Sequence, residues 1–300
     1  MKTKIILFSI SMVFFFGCNN NDKDQVKETS AVNSHTNNKP ENLNISILLD
    51  LSDRIDPTKN SNLSMEYYKR DLGYIQSISK TFEKHLSSKP IRQDDDQIQI
   101  YFEPEPLNSE INNLAKHLKL SFTKDNTSKA SIAKISSNYI LTSNTIYKLA
   151  ISDKRYLGSD IWSFFKNKVN DYCIKPNHRN VLFVLTDGYM FHEDSKFLQG
   201  TKSSYITSAL VKSLKLTTSG YKQVIQQNGY GFIPANSNLD NLEVVVLGIN
   251  PARGNPFEED VIKEYWINWF TAMNVKKFYL KSADLPSDLE PVIQKIILGK

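Results

Sequence analysis

Residues 44–54 read Asn-Ile-Ser-Ile-Leu-Leu-Asp-Leu-Ser-Asp-Arg, and residues 181–188 read Val-Leu-Phe-Val-Leu-Thr-Asp-Gly. Each is a short run rich in β-branched and aliphatic residues that stops at an aspartate. Such runs are strands buried on both faces, the kind found in parallel sheets. Outward from them the chain alternates in style. Between Met65 and Leu86 the apolar side chains Tyr68, Leu72, Ile75, Ile78, Phe82 and Leu86 recur at helical spacing. Gln97 to Phe102 alternates polar and apolar residues as a strand with one exposed face does, and Trp162 to Tyr172 is helical in pattern. Leu242 to Ile249 is another apolar strand, ending at Asn250-Pro251, followed by a helix over Val261–Met273 and a short strand over Lys277–Leu280. Ser287 and Glu290 stand at capping-box spacing ahead of a last amphipathic helix through Leu289, Val292, Ile293, Ile296 and Ile297. Strand and helix in alternation predict one α/β domain over 43–300, a doubly wound, mostly parallel sheet with helices on both faces. Segments near 103–143 and 189–240 break the alternation and are expected as insertions, the second with a helix around Tyr205–Leu216.

At 40% hydrophobic and 23% charged, the 300-residue chain is too apolar for a disordered protein, and two cysteines cannot staple a fold of this size. The net charge of +5 falls to +3 if Lys2 and Lys4 leave with a leader. The lysines are spread along the chain, so no nucleic-acid footprint is expected.

The amino terminus has the three parts of a secretory signal: Lys2 and Lys4, an apolar run from Ile5 to Phe16, then Gly17-Cys18. The run is shorter than the ~20 residues a membrane-spanning helix needs. It resembles the lipobox of bacterial lipoproteins, with Phe15 where Leu is usual and Phe16 where a small residue is usual. The resemblance implies removal of residues 1–17, acylation of Cys18 and anchoring to the cell envelope, and Asn19 after the cysteine implies the outer membrane. Residues 18–42 are polar and expected to be a flexible tether, with a reach on the order of 25 Å. Cys173 is then a lone thiol, expected as a small core residue.

Two strands ending in aspartate place Asp50 and Asp187 at the carboxyl edge of the sheet, where open parallel sheets bind ligands. A carboxylate there is costly unless paired, and a divalent cation is a natural partner. Here the chain resembles the von Willebrand factor A domain family over roughly residues 44–282, through order and spacing. That family's metal-ion-dependent adhesion site uses D-x-S-x-S after the first strand, a hydroxyl before a later helix, and the aspartate of a T/S-D-G turn. Asp50-Leu51-Ser52-Asp53-Arg54, Ser159 in Gly158-Ser159-Asp160, and Thr186-Asp187-Gly188 take those places, with Arg54 where the second serine belongs. The resemblance implies Mg²⁺, or Mn²⁺ or Ca²⁺, held by Asp50, Ser52, Ser159 and Asp187 with waters, and an acidic side chain of a partner completing the shell. A guanidinium cannot ligate a cation. Arg54 therefore either turns outward, pairing with Asp53 or Asp56, or fills the cation's place itself.

Plainer roles remain open. Asp50 and Asp187 could cap turns, Ser159 could cap the following helix, and His192 in Phe-His-Glu-Asp is given no role. Tyr189, Met190, Phe191 and the stretch 251–259 are candidates for a partner-binding rim. The leading expectation is a membrane-anchored binding module, not an enzyme, that recognises a protein. The alternatives are a metal-dependent phosphoesterase using the same carboxylates and a metal-free structural envelope protein. Hydroxyls and carboxylates without a His, Lys or Cys base favour coordination over turnover. No nucleophile-elbow, zincin or phosphate-loop motif occurs, and Gly229-Tyr230-Gly231 does not make a dinucleotide fingerprint.

Overall fold

A computed structural model describes residues 26–28 and 41–299. The leader, Cys18 and most of the expected tether lie outside the described residues, and within that tether Val26–Glu28 forms a short strand, β1. The chain continues through β2 (Leu43–Leu49), α1 (Tyr67–Ser87), β3 (Asp95–Phe102), α2 (Ser109–His117), β4 (Leu120–Thr123), α3 (Lys129–Ile132) and α4 (Ile135–Asp153). Next come α5 (Ile161–Asn167), α6 (Val169–Cys173), β5 (Arg179–Leu185), β6 (Leu198–Gln199), β7 (Lys202–Ser203), α7 (Ser208–Ser213) and α8 (Tyr221–Asn228). The last elements are β8 (Gly231–Phe232), β9 (Leu242–Ile249), α9 (Glu258–Ala272), β10 (Lys277–Ser282) and α10 (Pro286–Leu298).

The large sheet runs β1-β10-β9-β5-β2-β3-β4. Its five inner strands are mutually parallel, and only the edge strands β1 and β4 pair antiparallel. Period-two alternation divides each inner strand between two cores. Leu182 and Val184 of β5, with Val244 and Val246 of β9, face an aromatic layer that includes Phe165, Trp266, Trp269 and Phe270. Val181, Phe183, Leu185, Val245 and Leu247 face the opposite layer, which includes Tyr74, Ile78, Phe82, Tyr147 and Ile293. The architecture is thus the expected doubly wound α/β sandwich, with helices on both faces.

Local boundaries differ from the sequence reading. Segment 103–143 holds α2, β4, α3 and the start of α4, so it widens the sheet by one strand and covers one face. Segment 189–240 builds the small sheet β6-β7-β8 together with α7 and α8. The expected helix over Trp162–Tyr172 is two helices meeting at Lys168, which has φ −125°. Ser287 and Glu290 form no capping box. Pro286 occupies the first turn of α10 after Leu285, and no side chain caps it. Cys173 is buried, and burial pushes its thiol up to about 12, so it is an inert core residue. Among the described residues, no helix is long and apolar enough to cross a membrane.

Candidate functional site

The carboxyl ends of β2 and β5 lie side by side because the two strands pair in parallel register up to Leu49 and Leu185. The chain leaves β2 through Asp50, whose amide still donates to the Leu185 carbonyl at 3.1 Å. Asp50 is buried, and both of its carboxylate oxygens are engaged. Oδ1 accepts from the Ser52 amide at 2.9 Å, and Oδ2 accepts from the Thr186 hydroxyl at 2.8 Å. The first bond turns the chain sharply after the strand, into a 3₁₀ turn over Asp53–Ile55.

That turn aims Arg54 inward. Its side chain is buried, with Nε donating to the Asp50 carbonyl at 3.0 Å and lying 3.5 Å from Asp50 Oδ2. Nη2 donates to the Leu185 carbonyl at 2.9 Å and to Asp71 Oδ2 at 2.5 Å. Asp71 comes from the first turns of α1 and also accepts from the Tyr147 hydroxyl of α4 at 2.8 Å. Burial works against the guanidinium charge, yet Asp71 and Asp50 outweigh it and hold Arg54 protonated. Asp71 in turn is shifted upward by its burial, with Arg54 opposing that shift.

Asp187 is the second residue past the end of β5. Its Oδ1 accepts from the Tyr189 amide at 3.0 Å, and its carbonyl accepts from the Asn250 amide at 2.9 Å. Burial first, then the neighbouring Asp50 charge, pushes its carboxyl up to about 7, with Arg54 pulling the other way. Gly188 completes the turn at φ +95°, a conformation that favours glycine, and its carbonyl accepts from Trp266 Nε1 at 2.9 Å. Tyr189 is fixed from both sides, donating to Glu258 Oε1 at 2.6 Å and accepting from the Ala252 amide at 2.9 Å.

The fold thus gathers Asp50, Ser52 and Asp187 at one edge of the sheet. Ser159 reaches the carboxyl side on a separate loop, in a two-way backbone bridge with Phe191 at 2.8 and 2.9 Å. Its buried Oγ has no hydrogen-bond partner. The cap of α5 belongs to Asp160, which accepts from the Ser163 amide at 3.1 Å. Met190 is buried in the core, while Tyr189 and Phe191 keep partial exposure. Asp71 and Tyr147 were not singled out from the sequence. The available signal was Asp71 standing four residues before Ile75 on the buried stripe of α1, a carboxylate where an apolar residue belongs.

As a divalent-cation site this donor set does not fit. Both oxygens of Asp50 are already hydrogen-bonded, and the fixed positive charge of Arg54 lies 3.5 Å from Oδ2. Arg54, Asp187, Asn60, Tyr67, Tyr189 and Asn250 instead line a cleft of about 110 Å³. No His, Lys or Cys lines it. The grouping of Ser159, His192 and Asp160 is no nucleophile relay either. His192 Nδ1 lies 3.5 Å from Asp160 Oδ2 without a hydrogen bond, and Ser159 Oγ touches no base.

No protein-family model and no curated protein matches the sequence. Among solved structures, the chain is similar to the conserved hypothetical protein BatB from Bacteroides thetaiotaomicron, at 12% identity and TM-score 0.38, over 85% of this chain and 97% of that one. It is also similar to an aerotolerance-related membrane protein from Bacteroides fragilis, at 11% identity and TM-score 0.39, over 86% of this chain and 100% of that one. The pilus adhesin SpaC from Lactobacillus rhamnosus GG in its open conformation aligns at 10% identity and TM-score 0.40, over 86% of this chain and 30% of the adhesin. Likenesses this remote assign no function to the chain.

Proposed function

We propose that this chain is a protein-binding module, not an enzyme, and that it meets its partner at the rim around the cleft between Arg54 and Asp187. On this reading it is held at the cell envelope by acylated Cys18. The observation that carries the proposal is the cleft itself. About 110 Å³ admits one side chain, well below the roughly 300 Å³ at which small-molecule pockets begin. Its lining offers a guanidinium, a carboxyl, two phenols and two amides, groups that bond a partner's polar side chain but contain no general base set against a nucleophile. Leu63 stands fully exposed in the loop between Asn60 and Tyr67, which both line the cleft. An exposed apolar side chain on a loop whose two ends line a polar socket suits an interface anchor.

The test is photo-crosslinking of the full-length protein in its own cells. A photoreactive residue replaces Leu63 at the rim or Lys84 in the last turn of α1. A discrete adduct from position 63 alone is the expected result, and any other pattern rejects the rim as the recognition surface. A phosphoesterase screen covers the enzyme alternative, and turnover abolished by Asp50→Ala would reverse the assignment.

A further inference from the structure

Two of the inner strands end at a shared positive charge that the chain itself provides. We infer that Arg54 is a covalently attached replacement for the divalent cation that the D-x-S-x-S resemblance implies, so that this rim operates without metal. The inference rests on the proposed function only in treating the rim as a recognition surface.

Two observations converge on it. The first is position. Arg54 stands where the second hydroxyl of the pattern belongs, and its guanidinium turns inward to the carbonyls that close β2 and β5, at 3.0 Å from Asp50 O and 2.9 Å from Leu185 O. It thereby ties together the two strand ends. The second is a matched counter-charge. Asp71 projects from the core-facing stripe of α1, where a carboxylate is costly, and it meets Nη2 at 2.5 Å while Tyr147 donates to the same oxygen. A buried carboxylate with its own tyrosine donor, supplied by α1 and α4, is a socket shaped for a guanidinium.

Arginine stays charged across the physiological range and cannot be chelated or diluted away. Recognition at this rim is therefore expected to be indifferent to chelators and to divalent-ion supply.

The experiment is thermal unfolding of the full chain, without partner, in EDTA and in Mg²⁺ or Mn²⁺. Wild type is expected to melt at the same temperature in all three. Arg54→Ser combined with Asp71→Asn removes the built-in cation and neutralises the carboxyl it would strand. That variant is expected to melt higher in Mn²⁺ than in EDTA, and adding Asp50→Ala should erase the difference. A metal-dependent rise in wild type that Asp50→Ala abolishes overturns the inference. An absence of any rise in the folded double variant overturns it too, since Arg54 would then be an ordinary buried ion pair. If the double variant does not fold, electron paramagnetic resonance of free Mn²⁺ titrated with wild-type protein decides. Signal left undiminished supports the inference, and Mn²⁺ captured by wild type but not by Asp50→Ala overturns it. None of these readouts involves a partner, so their failure is distinguishable from failure of the crosslink at position 63.

Discussion

At the scale of single residues, the site is a buried ion pair held by further hydrogen bonds, and the physics of such pairs makes it fragile to one-sided change. Arg54→Met strands the Asp71 carboxyl in the core with Tyr147 still donating to it. The expected loss is about 3 kcal/mol of unfolding free energy, read from urea denaturation. Arg54→Met with Asp71→Leu removes both charges and is expected to lose much less than the two single changes summed; strict additivity would show that the pair is not coupled. Tyr147→Phe leaves the pair in place and deletes one buried bond, for about 1–2 kcal/mol. Four of the six residues in this cluster were legible in the sequence. Asp50, Arg54, Thr186 and Asp187 lie next to the strands whose apolar runs announce them. Asp71 and Tyr147 lie inside helices, and there a buried polar residue looks like a lapse in periodicity until the fold brings its partner to it.

At the scale of elements, the turn after β5 is where backbone strain and site geometry meet. Gly188 holds φ +95°, and a Cβ added there would come within 2.7 Å of Ile262 Cγ2 on α9. Gly188→Ala is therefore expected to cost about 2 kcal/mol. It should also perturb the fluorescence of Trp266, whose indole donates to the Gly188 carbonyl. A variant with wild-type stability and emission would mean that the turn is not held as tightly as its contacts imply. The strands and this turn could be read ahead of time because Thr-Asp-Gly after an apolar run carries its own local chemistry. Helix α4 could not. Its buried positions Ile135, Tyr139, Ser143, Ile146, Tyr147 and Ala150 include a serine and leave the apolar stripe broken. The expected boundary at 143 also cuts through it. Likewise β4 has four residues and owes its pairing to β3, a tertiary effect that sequence periodicity does not carry.

At the scale of the whole molecule, the two edges of the sheet divide the labour, and acid should separate them. At the amino edge Arg179 grips Glu243 through two bonds of 2.7 Å and reaches the Ile297 carbonyl of α10 at 2.9 Å, tying β5, β9 and α10 together. Nearby, Asp96 accepts from the Leu43 amide at 2.7 Å and from His85 at 3.0 Å, and pairs with the buried Lys89 ammonium. Burial opposes ionisation of Asp96, but the bonds from His85, Lys89 and Leu43 outweigh it and hold the carboxyl below the usual range. A depressed carboxyl contributes stability that is complete above its unfolded pKa of about 3.9 and is lost as pH falls through the folded value. Asp96→Asn, which leaves the buried Lys89 ammonium with only Asp94 at 4.0 Å for a counter-charge, is expected to cost about 3 kcal/mol at pH 7. That gap should begin to close below about pH 4, as wild type loses the same charge by protonation. Leu63→Ser at the opposite edge removes an exposed side chain and should leave stability within about 0.5 kcal/mol of wild type at every pH. Urea midpoints for both variants across pH 3–8 check the division. An Asp96→Asn gap unchanged at pH 3 would mean that shape, not charge, holds the amino edge together, and a large Leu63→Ser effect would mean that the rim is part of the scaffold it is proposed to decorate.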